Sequence, residues 1–168
     1  MRYLALALVA ASILAVPSSV EAIQKGNRAP DPKVADVWQP AKTPPGGTSW
    51  KLLQQTKLND RTDPKTSIIY TKPTFPAAVR ALNGKQVKVA GWMMPLDGAK
   101  KQKRWVMLGY PPGCPFHFHA LPNQFIEILS PAGVLTNEAK IIVMTGTMEL
   151  TGFDESGIFY RLKNARPI

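Results

Sequence analysis

The chain has 168 residues, with 16 prolines, 12 glycines, one cysteine, and 21 Lys and Arg against 11 Asp and Glu, a formal charge of +10. Proline and glycine at that density exclude a helical bundle or coiled coil, because both break helix interiors. The lone cysteine excludes an internal disulfide, an iron–sulfur cluster and a four-cysteine zinc site, and the length excludes a multidomain enzyme.

Residues 1–22 have the anatomy of a secretory signal. Met1-Arg2 supply a positive start, Tyr3 to Val16 an apolar run, and Val20-Glu21-Ala22 a small–x–small cleavage pattern before Ile23. The apolar run is shorter than the roughly 20 residues a membrane-spanning helix needs. Cleavage between Ala22 and Ile23 is therefore expected, giving a soluble periplasmic or secreted protein. It removes one charge of each sign, Arg2 and Glu21, so the excess of positive charge survives. Outside the cytosol that excess points to an anionic envelope surface or an acidic protein face, and export disfavours nucleic acid.

From Ile23 to Thr48 the sequence is rich in proline and glycine, thin in apolar residues and without a period, so a flexible tail is expected over 23–48. Trp38 is the one residue of it suited to docking. A single domain is expected over 49–168. Thr48-Ser49 offers a capping hydroxyl to a short helix at Trp50-Lys51-Leu52-Leu53, and Phe75 to Leu82 reads as a second short helix opened by Pro76 and closed by Asn83-Gly84. Between them Asp63-Pro64 marks a polar link, and Ile68-Ile69-Tyr70 a short strand.

After Gly84 the period changes to that of strands. Lys85–Leu96 alternates Val87, Val89, Gly91 and Met93 against Gln86, Lys88, Ala90 and Trp92. Arg104–Tyr110, Asn123–Leu129, Ile141–Leu150 and Gly157–Leu162 follow, with turn residues at Asp97-Gly98, Pro131-Ala132-Gly133 and Asp154 to Gly157. Gly91 and Gly146, inside strands, suggest bends at barrel corners. The order predicts a mainly β fold, a small five-stranded antiparallel barrel of the oligonucleotide/oligosaccharide-binding (OB) type with one or two short N-terminal helices. An open sheet under the 75–82 helix is the alternative. Met93, Met94, Met107, Met144 and Met148 all fall on these strands and are expected to fill core.

Trp50-Lys51-Leu52-Leu53, the run from Gly84 to Leu96, Cys114 with Pro122-Asn123-Gln124, and Thr145 to Met148 together resemble a family of exported bacterial proteins of unknown function. That family pairs a Gly-Lys-x-Val-x-Val-x-Gly strand ending in Pro-Leu with a cysteine loop ending in Pro-Asn-Gln. The resemblance spans about Trp50 to Leu162. It implies export and, since some members sit beside exporter-type transporters, a partner in the envelope or in a transporter. The family's histidine two residues after the cysteine is replaced here by Phe116.

Cys114-Pro115-Phe116-His117-Phe118-His119 holds the only cysteine and both histidines of the chain. If this stretch is extended, both imidazoles face one side, and Cys114 can bend round at the proline. Thiolate with imidazole suits zinc or copper. Glu127 or Asp97 would be a fourth ligand, or a methionine for copper(I). The alternatives are a structural loop over a buried thiol and a thiol activated by His117. Lys100, Lys101, Lys103 and Arg104 form the densest basic run, expected at the hairpin tip between the first two barrel strands. With Asn123 and Gln124 they are the candidate partner-binding residues. The leading expectation is an exported binding or accessory module without catalytic residues. The rivals are a non-metal interaction domain serving an envelope transporter and a thiol-dependent enzyme.

Overall fold

Thr48 to Leu53 shows how the first helical turn forms. Ser49 Oγ accepts the Leu52 N–H at 3.2 Å and caps a single helical turn, α1 (Trp50–Leu53). The computed structural model describes residues 39–112, 120–152 and 156–168. The expected signal segment lies outside them. A two-stranded sheet follows α1, with β1 (Lys57–Thr62) antiparallel to β2 (Ile69–Thr74), joined by a turn in which Asp63 Oδ1 accepts from Lys65 N at 2.7 Å. Only a short strand near 68–70 is expected from the sequence. The hairpin escapes a periodicity argument because almost every β1 side chain is exposed, so no apolar alternation marks it. A second turn of helix, α2 (Ala77–Arg80), follows Pro76 and buries Val79.

The remaining strands are β3 (Gln86–Pro95), β4 (Lys101–Leu108), β5 (Phe125–Leu135), β6 (Ile141–Leu150) and β7 (Tyr160–Pro167). They close into a barrel in the order β3-β4-β5-β7-β6, with β6 returning to β3. Counted from the first barrel strand this is 1-2-3-5-4, the connectivity of an OB-type barrel. The closed five-stranded barrel matches the expectation and excludes the open sheet. One seam differs: β5 pairs with β7 in parallel, through Glu127↔Arg161 and Ile128↔Leu162, so the barrel is mixed and not antiparallel throughout. Five strands cannot close in this order otherwise, because β5 and β7 are separated by one full reversed strand, β6.

Alternation puts Val87, Val89, Met93, Trp105, Met107, Ile126, Ile128, Met144, Met148 and Leu162 in the core, so four of the five strand methionines fill it as expected. The fifth, Met94, is half-buried on the outer face. The two strand glycines mark close approaches. A Cβ on Gly91 would lie 2.4 Å from the Leu108 carbonyl oxygen, and one on Gly146 2.7 Å from that of Lys163, where the β6–β7 register shifts.

Residues 41–48, which the sequence reading assigns to the tail, pack on the barrel. Ala41 is 4% exposed and packs in the core. Its N–H bonds the Gly109 carbonyl at 2.8 Å, and Thr48 N–H bonds the Lys88 carbonyl at 2.7 Å. The cause is an incomplete seam: β4 pairs with β3 only from Trp92 to Pro95, leaving the first half of β3 with an open edge. Residues 41–50 cover that edge, and the Trp50 indole completes it with a 2.7 Å bond to the Ala90 carbonyl. Low apolar content does not forbid ordering where backbone groups need partners. The rest of the expected tail, 23–38, lies outside the described residues.

Candidate functional site

The loop that carries the Cys–His run joins β4 to β5, and its two ends are held. Leu108 pairs with Phe125, and Gly109 N–H donates to the Gln124 carbonyl at 2.9 Å. Before β5, Pro122–Gln124 form one 3-10 turn, closed by the Leu121 N–H donating to Gln124 Oε1 at 3.0 Å. Asn123, 7% exposed, donates its amide to the carbonyls of Gln54 at 3.3 Å and Thr56 at 3.1 Å. On the other limb Tyr110 Oη and the Gln54 amide exchange bonds at 3.0 and 3.1 Å. The turn after α1 thus clamps both limbs. Asn123 and Gln124, candidate partner contacts by sequence, use Nδ2 and Oε1 respectively on this frame. Cys114, His117 and His119 lie outside the described residues.

Both proposed fourth ligands have other partners. Glu127, 1% exposed, sits on β5 and receives Arg104 Nε at 2.7 Å on one oxygen and Arg161 Nε on the other. Arg161 Nη1 also reaches Glu149 at 3.2 Å, and Lys163 Nζ meets the other Glu149 oxygen at 2.6 Å. The result is a ladder of alternating charge crossing β4, β5, β7 and β6. Lys163 holds the Glu149 carboxyl below the usual carboxylate range, with Arg161 adding to it against partial burial. Asp97 is lowered too, by the Ala99 N–H and then by the Gln102 amide, which donates at 2.8 Å. A carboxylate whose two oxygens already meet guanidinium groups is a poor metal ligand.

Beside the ladder the outer face of β3, β4 and β5 is apolar. Val106, Leu108, Phe125 and Ile158 pack together with half-buried Trp92 and Met94 and with Ala120. Trp105 faces the interior and is fully buried.

The basic run is not at a hairpin tip. Lys100 alone lies in the turn; Lys101, Lys103 and Arg104 stand on β4, whose start pairs with the extension of β5 to Leu135. Gln102 is drawn inward, its amide tying Asp97 and the Ala99 carbonyl. The structure therefore separates the candidate contacts. Lys100 and Lys101 stand at one end of β4, and Asn123 and Gln124 beyond the other, with an eight-residue strand of roughly 25 Å between. Sequence reasoning missed Gln54, Tyr110, Glu149 and Arg161. None has a local signal, since each acts through a partner 12 to 69 positions away.

A closed OB-type barrel with a clamped loop between its second and third strands is the class of protein that fold and site define. The chain belongs to the DUF3299 family, described as a protein of unknown function, whose pattern matches residues 31–164. A crystal structure of a DUF3299 family protein from Pseudomonas aeruginosa PAO1 is similar at 15% identity, covering 57% of this chain and 67% of that one, with a TM-score of 0.41. No curated protein matches the chain.

Proposed function

We propose that the protein is an exported binding module of the bacterial envelope, not an enzyme, which holds zinc or copper through Cys114, His117 and His119. The observation that supports this is the clamp on the loop: the Gly109–Gln124 backbone bond and the Gln54 contacts to Tyr110 and Asn123 fix both limbs. Closing a loop in advance removes part of the entropy that ordering three ligands would otherwise cost. Among the described residues no three Cys, His, Asp or Glu side chains cluster, and Glu127 is committed to its arginines. The ligands of this reading are the loop's own three side chains. A fourth position is left for water or for a residue of an envelope or transporter partner, as suits a protein that passes a metal on.

Thiolate and neutral imidazoles are the binding forms, so affinity falls as the solution is acidified. Titrating the reduced protein with zinc and with copper(I) is expected to show one saturable site. Cys114→Ser, His117→Ala and His119→Ala should each weaken it by a similar large factor, with smaller effects on the metal-free fold. No saturable binding at micromolar ion overturns the metal reading and leaves a non-metal interaction domain. Selective alkylation of Cys114 that slows when either histidine is removed, without metal, would instead identify a thiol enzyme.

A further inference from the structure

At the end of the barrel away from the Cys–His loop, β3 and β5 finish and β4 and β6 begin. Aliphatic side chains project there: Leu135 is 72% exposed, Leu96 49% and Ile141 48%. A hollow of about 600 Å³ lies among Leu135, Ile141, Ile142 and Pro167, with Lys101 and Lys140 on its wall. Lys101 stands opposite Leu135, and its stem crosses Gly133 so closely that a Cβ there would meet three stem carbons at 3.0 to 3.3 Å. The turn and the loop beside the hollow form one platform. Thr136 N–H bonds the Lys100 carbonyl at 3.0 Å, and its hydroxyl bonds the Ala99 carbonyl at 2.8 Å. Lys100 and Lys103 are exposed beside it, and the acids of the two connections are Asp97 and Glu138. Asp97 is turned onto Ala99 and Gln102.

The composition of this end selects a partner. Protein hot spots favour Trp, Tyr and Arg, and lysine is depleted from protein interfaces. Single-stranded nucleic acid calls for aromatic stacking, and the strongly exposed apolar residues here are all aliphatic. Aliphatic tips ringed by lysines suit a lipid headgroup region, where the tips enter the acyl boundary. The lysine stems then lie along apolar surface and carry the ammonium groups to phosphates. We propose that this end of the barrel docks on an anionic phospholipid surface. Leu135 and Ile141 enter it, and Lys100, Lys101, Lys103 and Lys140 meet its phosphates. The proposal does not depend on the metal reading.

The test is co-sedimentation of the exported protein with vesicles of phosphatidylcholine, alone or mixed with phosphatidylglycerol. Binding is expected only to the mixed vesicles, and it should fall as sodium chloride is raised. At about fivefold per lysine near an anionic surface, Lys101→Glu with Lys140→Glu should reduce it more than tenfold. Leu135→Ser with Ile141→Ser should also reduce it, without changing the net charge. Lys57→Glu with Lys72→Glu, on the β1–β2 hairpin, makes the same charge change elsewhere and should leave most binding intact. The replaced side chains are exposed, so the melting temperatures should stay close to wild type. Binding through any retained N-terminal segment is common to all these proteins and cancels in the comparison. Equal loss in the hairpin variant, no loss in the Leu135/Ile141 variant, or no dependence on phosphatidylglycerol would each overturn the proposal.

Discussion

Glu127 shows what one buried carboxylate commits its neighbours to. Its side chain is 2% exposed, against 63% for Arg104 and 24% for Arg161. Desolvating that charge is unfavourable, and the two guanidinium groups are what offset it. They are not equivalent, because Arg104 is mostly in water, where ion pairs contribute little. Arg161→Met should therefore destabilise the protein by about 2–3 kcal/mol, below the range for a fully buried pair because Arg104 remains. Arg104→Met should cost about 1 kcal/mol or less. Urea denaturation of the two variants checks the order. Equal costs would mean that Glu127 does not rely on its more buried partner. Nothing in the sequence marked this arrangement. Glu127 sits in an alternating strand, its partners lie 23 and 34 positions away, and only the β5–β7 register brings Arg161 opposite it.

At the scale of elements, the segment from 41 to 50 acts as a sixth edge to a five-stranded barrel. Its backbone bonds to Gly109 and Lys88, the burial of Ala41 and the seat of Trp50 against Gly109 belong together. A chain beginning at Ser49 loses Ala41 and both backbone bonds. It should be less stable than one beginning at Gln39 by about 2–4 kcal/mol, from two bonds at about 1 kcal/mol each and the apolar surface uncovered. Denaturant midpoints of the two chains measure this, and equal midpoints would return the boundary to residue 49. The strands themselves were legible, because Val87, Val89 and Met93, or Met144 and Met148, recur at the period of a sheet with one buried face. What was not legible follows from the same rule. The β1–β2 hairpin buries too little to show a period, and β4 starts earlier than its apolar residues because Lys101 and Lys103 point to solvent while pairing continues. Pairing is a property of the backbone, and charged side chains do not announce it.

For the whole molecule, the sequence placed the chemistry-bearing residues along a line and the barrel distributes them. Lys100 and Lys101 go to one end, the clamp around Asn123 to the other, and the ion-pair ladder runs between them. The Cys–His run was conspicuous from its residue types alone. Its clamp was not, because Gln54 and Tyr110 are ordinary residues until α1 and β4 are set side by side. Tyr160 is the bolt between that clamp and the barrel. Fully buried on β7, it donates to the Leu53 carbonyl at 2.7 Å and shares a 2.5 Å bond with Thr56 Oγ1. Burial pushes its phenol up to about 12, the Thr56 bond opposing the shift. An unfolded tyrosine titrates near 10. Between these values the folded chain keeps a proton that the unfolded chain releases, so stability falls as pH rises. The contribution is fully present below about pH 10 and is lost toward pH 12, at most about 2–3 kcal/mol for a shift of this size. Tyr160→Phe should lower stability near neutrality by about 1–2 kcal/mol through the lost hydrogen bonds. It should also remove this part of the alkaline decline, so the advantage of wild type over the variant shrinks from pH 10 to pH 12. Denaturant midpoints of both proteins across that interval decide it. A constant difference would show that Tyr160 ionises in the folded state as freely as in water, and that the hydroxyl is not locked between Leu53 and Thr56.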